Sequence, residues 1–182
     1  AAELAVLAAN DANELAIAEA GGIAPLVALA RDGSDGQKQE AAGALLNLAA
    51  NADINKVAIA KAGGIAPLVA LAHSGTDGQK ENAAAALANL AGNADNRVAI
   101  AKAGGIAPLV ALARDGTDGQ KQQAAAAMAI LAAKADNQTA IAKAGGIAPL
   151  VALAHGGTDG QKESWRCSPP TTPTSWLSRR RA

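Results

Sequence analysis

The stretch Asp32-Gly33-Ser34-Asp35-Gly36-Gln37-Lys38 could offer oxygens to calcium, or a glycine-flanked lysine to a phosphate. A calcium loop needs more oxygen ligands and a closing bidentate Glu, and a phosphate loop needs G-x-x-x-x-G-K-[ST]. Neither pattern is present, so the stretch reads as a polar turn running into a helix cap. His73 and His155, the two histidines, occupy a position filled by Arg31 and Arg114 in other copies of a repeat. They lie two copies apart, on the order of 20 Å at helix spacings near 10 Å, too far to share a metal. Cys167 is the single cysteine and cannot build a disulfide framework or a zinc site. No Ser, Cys or His recurs with an acid that could orient it. The chain is expected not to be an enzyme, with no cofactor, metal or small-molecule substrate.

Composition points the same way. The chain has 182 residues, half of them apolar, which suits a folded protein and not a disordered one. Phe and Tyr are absent, and the two Trp, Trp165 and Trp176, stand close to the C-terminus. The core must therefore be built from Leu, Ile, Val and Ala. No apolar run approaches the roughly eighteen residues of a membrane span. Basic and acidic residues balance at sixteen each, but Arg166, Arg179, Arg180 and Arg181 sit in a C-terminal stretch without acids. The rest carries twelve bases against sixteen acids, a net of −4 that argues against nucleic acid. No signal peptide is visible, the first residue reads as a fragment start, and the expected compartment is reducing: cytoplasm or nucleus.

An internal repeat dominates. The segment GGIAPLVALA begins at Gly21, Gly63, Gly104 and Gly145, spacings of 42, 41 and 41, the extra residue being Ile54. The expected division is a partial unit at 1–20, complete units at 21–62, 63–103 and 104–144, a truncated unit at 145–163, and a tail at 164–182. Each unit parses into three helices. A short one spans about 96–103, entered at Asp95 and stopped by Gly104-Gly105, with Lys102 near its C-terminus. A middle one spans about 106–114, with Pro108 in its first turn. A long one spans about 119–134 and opens with the capping pair Thr117/Gln120, matched by Ser34/Gln37, Thr76/Gln79 and Thr158/Gln161. Ala83, Leu87, Leu90 and Ala91 give the long helix of the second unit a buried face.

A three-helix unit of this length, with I-A-P-L-V-A-L-A, A-L-x-N-L-A and N-x-V-A-I-A-K-A-G-G recurring in register, resembles the armadillo repeat, in particular the plant/algal and vacuolar-armadillo-like type. The resemblance covers roughly residues 1–163. It implies an all-α right-handed superhelix, an α-solenoid of about three complete units with partial units at both ends. It also implies a non-catalytic scaffold that holds an extended peptide or partner segment in a concave groove lined by the third helices.

In peptide-binding members of that family the third helix presents an Asn that clamps the ligand backbone. The resemblance places Asn47 and Asn89 there, while Ile130 replaces the Asn in the third unit. An amide can donate to and accept from a passing backbone. The alternative is that both Asn merely bond neighbouring helix backbone. Nuclear-import adapters of the family carry a Trp one turn earlier, where this chain has Gly43, Ala85 and Ala126, so no aromatic slot for Lys or Arg can form. A further turn back stand Gln39, Glu81 and Gln122, with one acid among them. The groove is expected to be shallow, weakly charged and unsuited to basic localisation signals.

The repeat breaks after Glu163 into SWRCSPPTTPTSWLSRRRA. One codon series for this tail, read one base earlier, translates as ELALLAANNADIVAIAKAG, nearly a copy of the segment from Glu3 to Gly21. The tail is therefore expected to come from a shifted frame and to be disordered, which devalues Arg179–Arg181 as a localisation patch, Pro169–Pro173 as a linker and Cys167 as a redox handle. Uncapped ends would leave the solenoid marginal or prone to self-association. The leading expectation is a protein-binding scaffold. The alternatives are the substrate-binding part of a ubiquitin ligase with an upstream U-box, a membrane tether needing an acylation signal, and a locus without function.

Overall fold

The computed structural model describes residues 2–8, 10–50 and 53–156, and the structural statements below concern these. They form twelve helices and no strand. A remnant α1 (Ala2–Leu7) precedes α2 (Asp11–Glu19), α3 (Ile23–Asp32) and α4 (Asp35–Leu48). The next unit is α5 (Asp53–Lys61), α6 (Ile65–Ser74) and α7 (Asp77–Leu90), and the third is α8 (Ala94–Lys102), α9 (Ile106–Asp115) and α10 (Asp118–Leu131). Last come α11 (Ala135–Lys143) and α12 (Ile147–Gly156). The tail at 164–182 and the pair Thr158/Gln161 lie outside the described residues. No single described helix is long and apolar enough to cross a membrane.

Each short helix ends at a Gly-Gly pair whose two glycines serve different ends. The first adopts the left-handed conformation, with φ +76° to +79° at Gly21, Gly63, Gly104 and Gly145. The N–H of Gly104 bonds the Ala101 carbonyl at 3.0 Å and that of Gly105 the Ile100 carbonyl at 2.9 Å, a Schellman closure. The second glycine is needed for space. A Cβ on Gly105 would lie 2.8 Å from Ile100 Cγ2 and 3.2 Å from Val69 Cγ2 of the preceding unit. Bare backbone at this corner lets one unit's valine seat against the turn of the next.

The long helices open as expected. The Thr117 hydroxyl accepts from Gln120 N at 3.3 Å while Gln120 Oε1 accepts from Thr117 N at 3.2 Å, and Ser34/Gln37 and Thr76/Gln79 repeat the box. Two sequence expectations need correction. The short helix of the third unit is capped by Asn93, not Asp95: Asn93 Oδ1 accepts from the N–H groups of Asp95 and Asn96 at 3.0 and 3.2 Å. Entry at Asn93 starts the helix at Ala94, two residues earlier than expected. The long helix ends at Leu131 and not Lys134, where the Leu131 carbonyl accepts from Lys134 N at 3.2 Å and from Asn137 Nδ2 at 3.0 Å.

Packing repeats a fixed quartet. Leu26, Leu45, Leu48 and Ile59 are fully buried, as are Leu68, Leu87, Leu90 and Ile100, then Leu109, Met128 and Leu131 with Ile141 nearly so. Each such side chain stabilises the fold by about 1.5–3 kcal/mol relative to exposure. Ala supplies the rest. Residues 83–88 of α7 are all buried, because α4, α6 and α10 pack around this helix and only small side chains fit on several faces at once.

Candidate functional site

The third helices α4, α7 and α10 contact one another far more extensively than the second helices α3, α6 and α9 do. A solenoid packed tightly along one row and splayed along the other must curve toward the tight row. The third helices therefore line the concave side. Shallow clefts open between the splayed second helices; one of about 350 Å³ is lined by His73, Asp77, Lys80, Pro108, Asp115 and Gln120 among others, a rim of mixed sign.

Three register positions of the third helices are the ones that the sequence assigns to this concave side. At the first, Gln39 and Glu81 are exposed and Gln122 is half-buried. Gln39 lies across Gly78 of the next unit, its Oε1 2.8 Å from where a Cβ would stand, and Glu81 lies across Gly119 at 2.6 Å. The Glu81 carboxylate thus rests over the first turn of α10, where a helix N-terminus favours an anion. At the second position, Gly43, Ala85 and Ala126 form a floor with nothing longer than a methyl group. At the third, Asn47, Asn89 and Ile130 are all half-buried. Asn89 Nδ2 donates to the Leu46 carbonyl of α4 at 3.2 Å. That bond employs one of the amide's two N–H groups and leaves it able to meet a second partner. Because Leu7 stands where Leu48, Leu90 and Leu131 stand in later units, Val6 takes the same position in α1, and it is 75% exposed. The row thus reads Val6, Asn47, Asn89, Ile130.

Several functional contacts were not read from sequence. Gln79 and Gln120, 2% exposed, donate through Nε2 to the carbonyls of Asp35 and Asp77 at 2.8 and 3.1 Å. The capping box accounts for their Oε1 alone; a second, buried polar end was the signal that a partner was required. Asn82 Nδ2 donates to the Gln39 carbonyl at 3.2 Å, so α7 is stitched to α4 at Gln79, Asn82 and Asn89. The corresponding residues of α10 are Gln123 and Ile130. Among the described residues no three of His, Cys, Asp and Glu gather as metal ligands, and His73 and His155 are both exposed.

Stacked three-helix units with a Gly/Ala-floored concave row define a repeat solenoid of the kind that presents an extended surface instead of a pocket. A family model described as armadillo/beta-catenin-like repeat matches residues 10–50, which span α2 to α4, and 51–92, which span α5 to α7. Residues 10–92 thus match the armadillo repeat model, and the described residues have the armadillo solenoid fold. Among solved structures, an engineered protein is 36% identical with a TM-score of 0.84, the match covering 90% of this chain and 68% of that one. Computationally designed armadillo repeat proteins for modular peptide recognition match at 29% identity and TM-score 0.85, over 90% of this chain and 70% of theirs. A designed armadillo repeat protein in complex with the peptide (KR)4 matches at 27% and 0.83, over 90% and 70%. No curated protein sequence matches.

Proposed function

We propose that the concave row of third helices holds an extended peptide or partner segment and that the chain is a non-catalytic interaction scaffold. The observation that carries this reading is the Asn47–Asn89 pair, at one register position of two adjacent third helices beside the Gly43–Ala85–Ala126 floor. Amides spaced along such a row can fix the backbone of a strand without reading its side chains. The peptide complex of a designed relative supports the same use of the surface. Cytoplasm or nucleus would suit such a scaffold. No observation favours a ubiquitin-ligase setting, a vacuolar tether or a plant/algal subtype.

The test is a double substitution, Asn47→Ala with Asn89→Ala, followed by recovery of partners by pull-down. Asn82→Ala is the control, because it removes a helix-to-helix bond of the same kind at a different register. Loss of partners in the double variant but not in the control is expected. Unchanged partners in the double variant would defeat the reading.

A further inference from the structure

The Asn pair is bracketed. Val6 before it and Ile130 after it place aliphatic side chains at the position where Asn47 and Asn89 place amides, Val6 75% exposed and Ile130 half-buried. Water gains nothing from either, and a bound segment would gain by covering both. Between them the floor carries no side chain longer than a methyl group, so a peptide backbone can approach the helices closely only where its own inward side chains are short. The one acid of the row, Glu81, already lies over the first turn of α10, which weakens any pull on a basic residue.

Resting on the peptide-groove reading above, we propose that the occupant is an extended segment with one apolar side chain near each end and short side chains between. One apolar group covers Val6 and the other covers Ile130, while Asn47 and Asn89 hold the backbone in the middle. Three helix-to-helix steps of about 8–10 Å separate the anchors by roughly 25–30 Å. At about 3.3 Å per extended residue, the two apolar residues stand about eight or nine positions apart. Between Val6 and Ile130 the row therefore sets the spacing of the two apolar residues that it covers.

The experiment uses the full chain and labelled synthetic peptides of Ala, Ser and Gly carrying two Leu at spacings from five to eleven, read by fluorescence anisotropy. The two-Leu peptide of matching spacing is expected to bind about tenfold tighter than either single-Leu peptide, the effect of covering part of one aliphatic side chain. Ile130→Asn and Val6→Asn should each abolish the advantage of one Leu while leaving the thermal melt close to that of the parent. Binding that is indifferent to Leu number and spacing, or to both substitutions, would overturn the bracket while leaving the groove intact. Absence of peptide binding together with unchanged pull-down partners in the Asn47/Asn89 double variant would overturn the groove itself.

Discussion

The Gln79 side chain donates through Nε2 to the Asp35 carbonyl at 2.8 Å while its Oε1 accepts from the Thr76 N–H at 3.1 Å. One amide thereby caps its own helix and fastens that helix to the unit before it. Gln79→Ala is expected to lose about 2 kcal/mol, two net hydrogen bonds at a buried site, measured by urea denaturation. Gln79→Glu keeps the cap but brings a carboxylate to Asp35, whose Oδ1 lies 3.4 Å from Nε2. The introduced carboxyl would have its pKa raised by folding, so the variant should regain stability as pH falls through that raised pKa toward about 4, the unfolded value, because the protonated acid can donate as the amide did.

Asn55 and Asn96 hold the same place in successive units but differ in circumstance. Asn96 Nδ2 bonds the Leu90 and Lys56 carbonyls, both at 3.1 Å, and Asn13 and Asn137 likewise reach the carbonyl six residues back, of Leu7 and Leu131. The inserted Ile54, 65% exposed, makes that interval seven for Asn55, whose Nδ2 and Oδ1 are buried without a partner. Asn96→Ala should cost about 1–3 kcal/mol, whereas Asn55→Ala should be neutral or slightly stabilising. Deleting Ile54 should add about 1 kcal/mol by restoring the bond. Paired thermal melts decide it.

The Gly-Gly corner separates backbone freedom from space. Gly104 has φ +77° and nothing near its absent Cβ, so Gly104→Ala should cost about 1 kcal/mol and Gly104→Asn less. Gly105→Ala drives a methyl group into Ile100 and Val69 and should cost more. Hydrogen exchange should show that second loss spreading to α6, the helix that carries Val69.

Affinity for (KR)4 is expected to be weak and almost flat with salt. Glu81 is the one acid at its register position, and Gly43, Ala85 and Ala126 supply no ring for a cation to stack on. Titration at low and high ionic strength checks this; tight, salt-sensitive binding would contradict it.

What the sequence made legible was whatever a single unit decides for itself. Gly-Gly exits, Pro108 in a first turn and the Ser/Thr-x-x-Gln caps act within a few residues, and all three stand where their local chemistry requires. The cap at Asn93 was missed because Asp95 is an equally good cap by type, and only the chain path selects between them. The second bond of Gln79, the stitch from Asn82 and the lie of Glu81 over Gly119 depend on how one unit is rotated against the next. That rotation is not written in any one stretch of residues.

The bonds between units share a polarity. Gln79, Asn82, Asn89, Gln120, Asn96 and Asn137 are all donors in the later unit, and each reaches a main-chain carbonyl of the earlier one. A carbonyl is supplied by any residue, so these six bonds ask for no particular side chain in the earlier unit, although Gln79 and Gln120 also reach the Asp35 and Asp77 carboxylates at 3.4 and 3.1 Å. The donors for joining are thus carried mainly by the incoming module. An array wired in this direction can lengthen by tandem gene duplication with no compensating substitution upstream, and near-identical neighbours are the pattern such growth leaves behind.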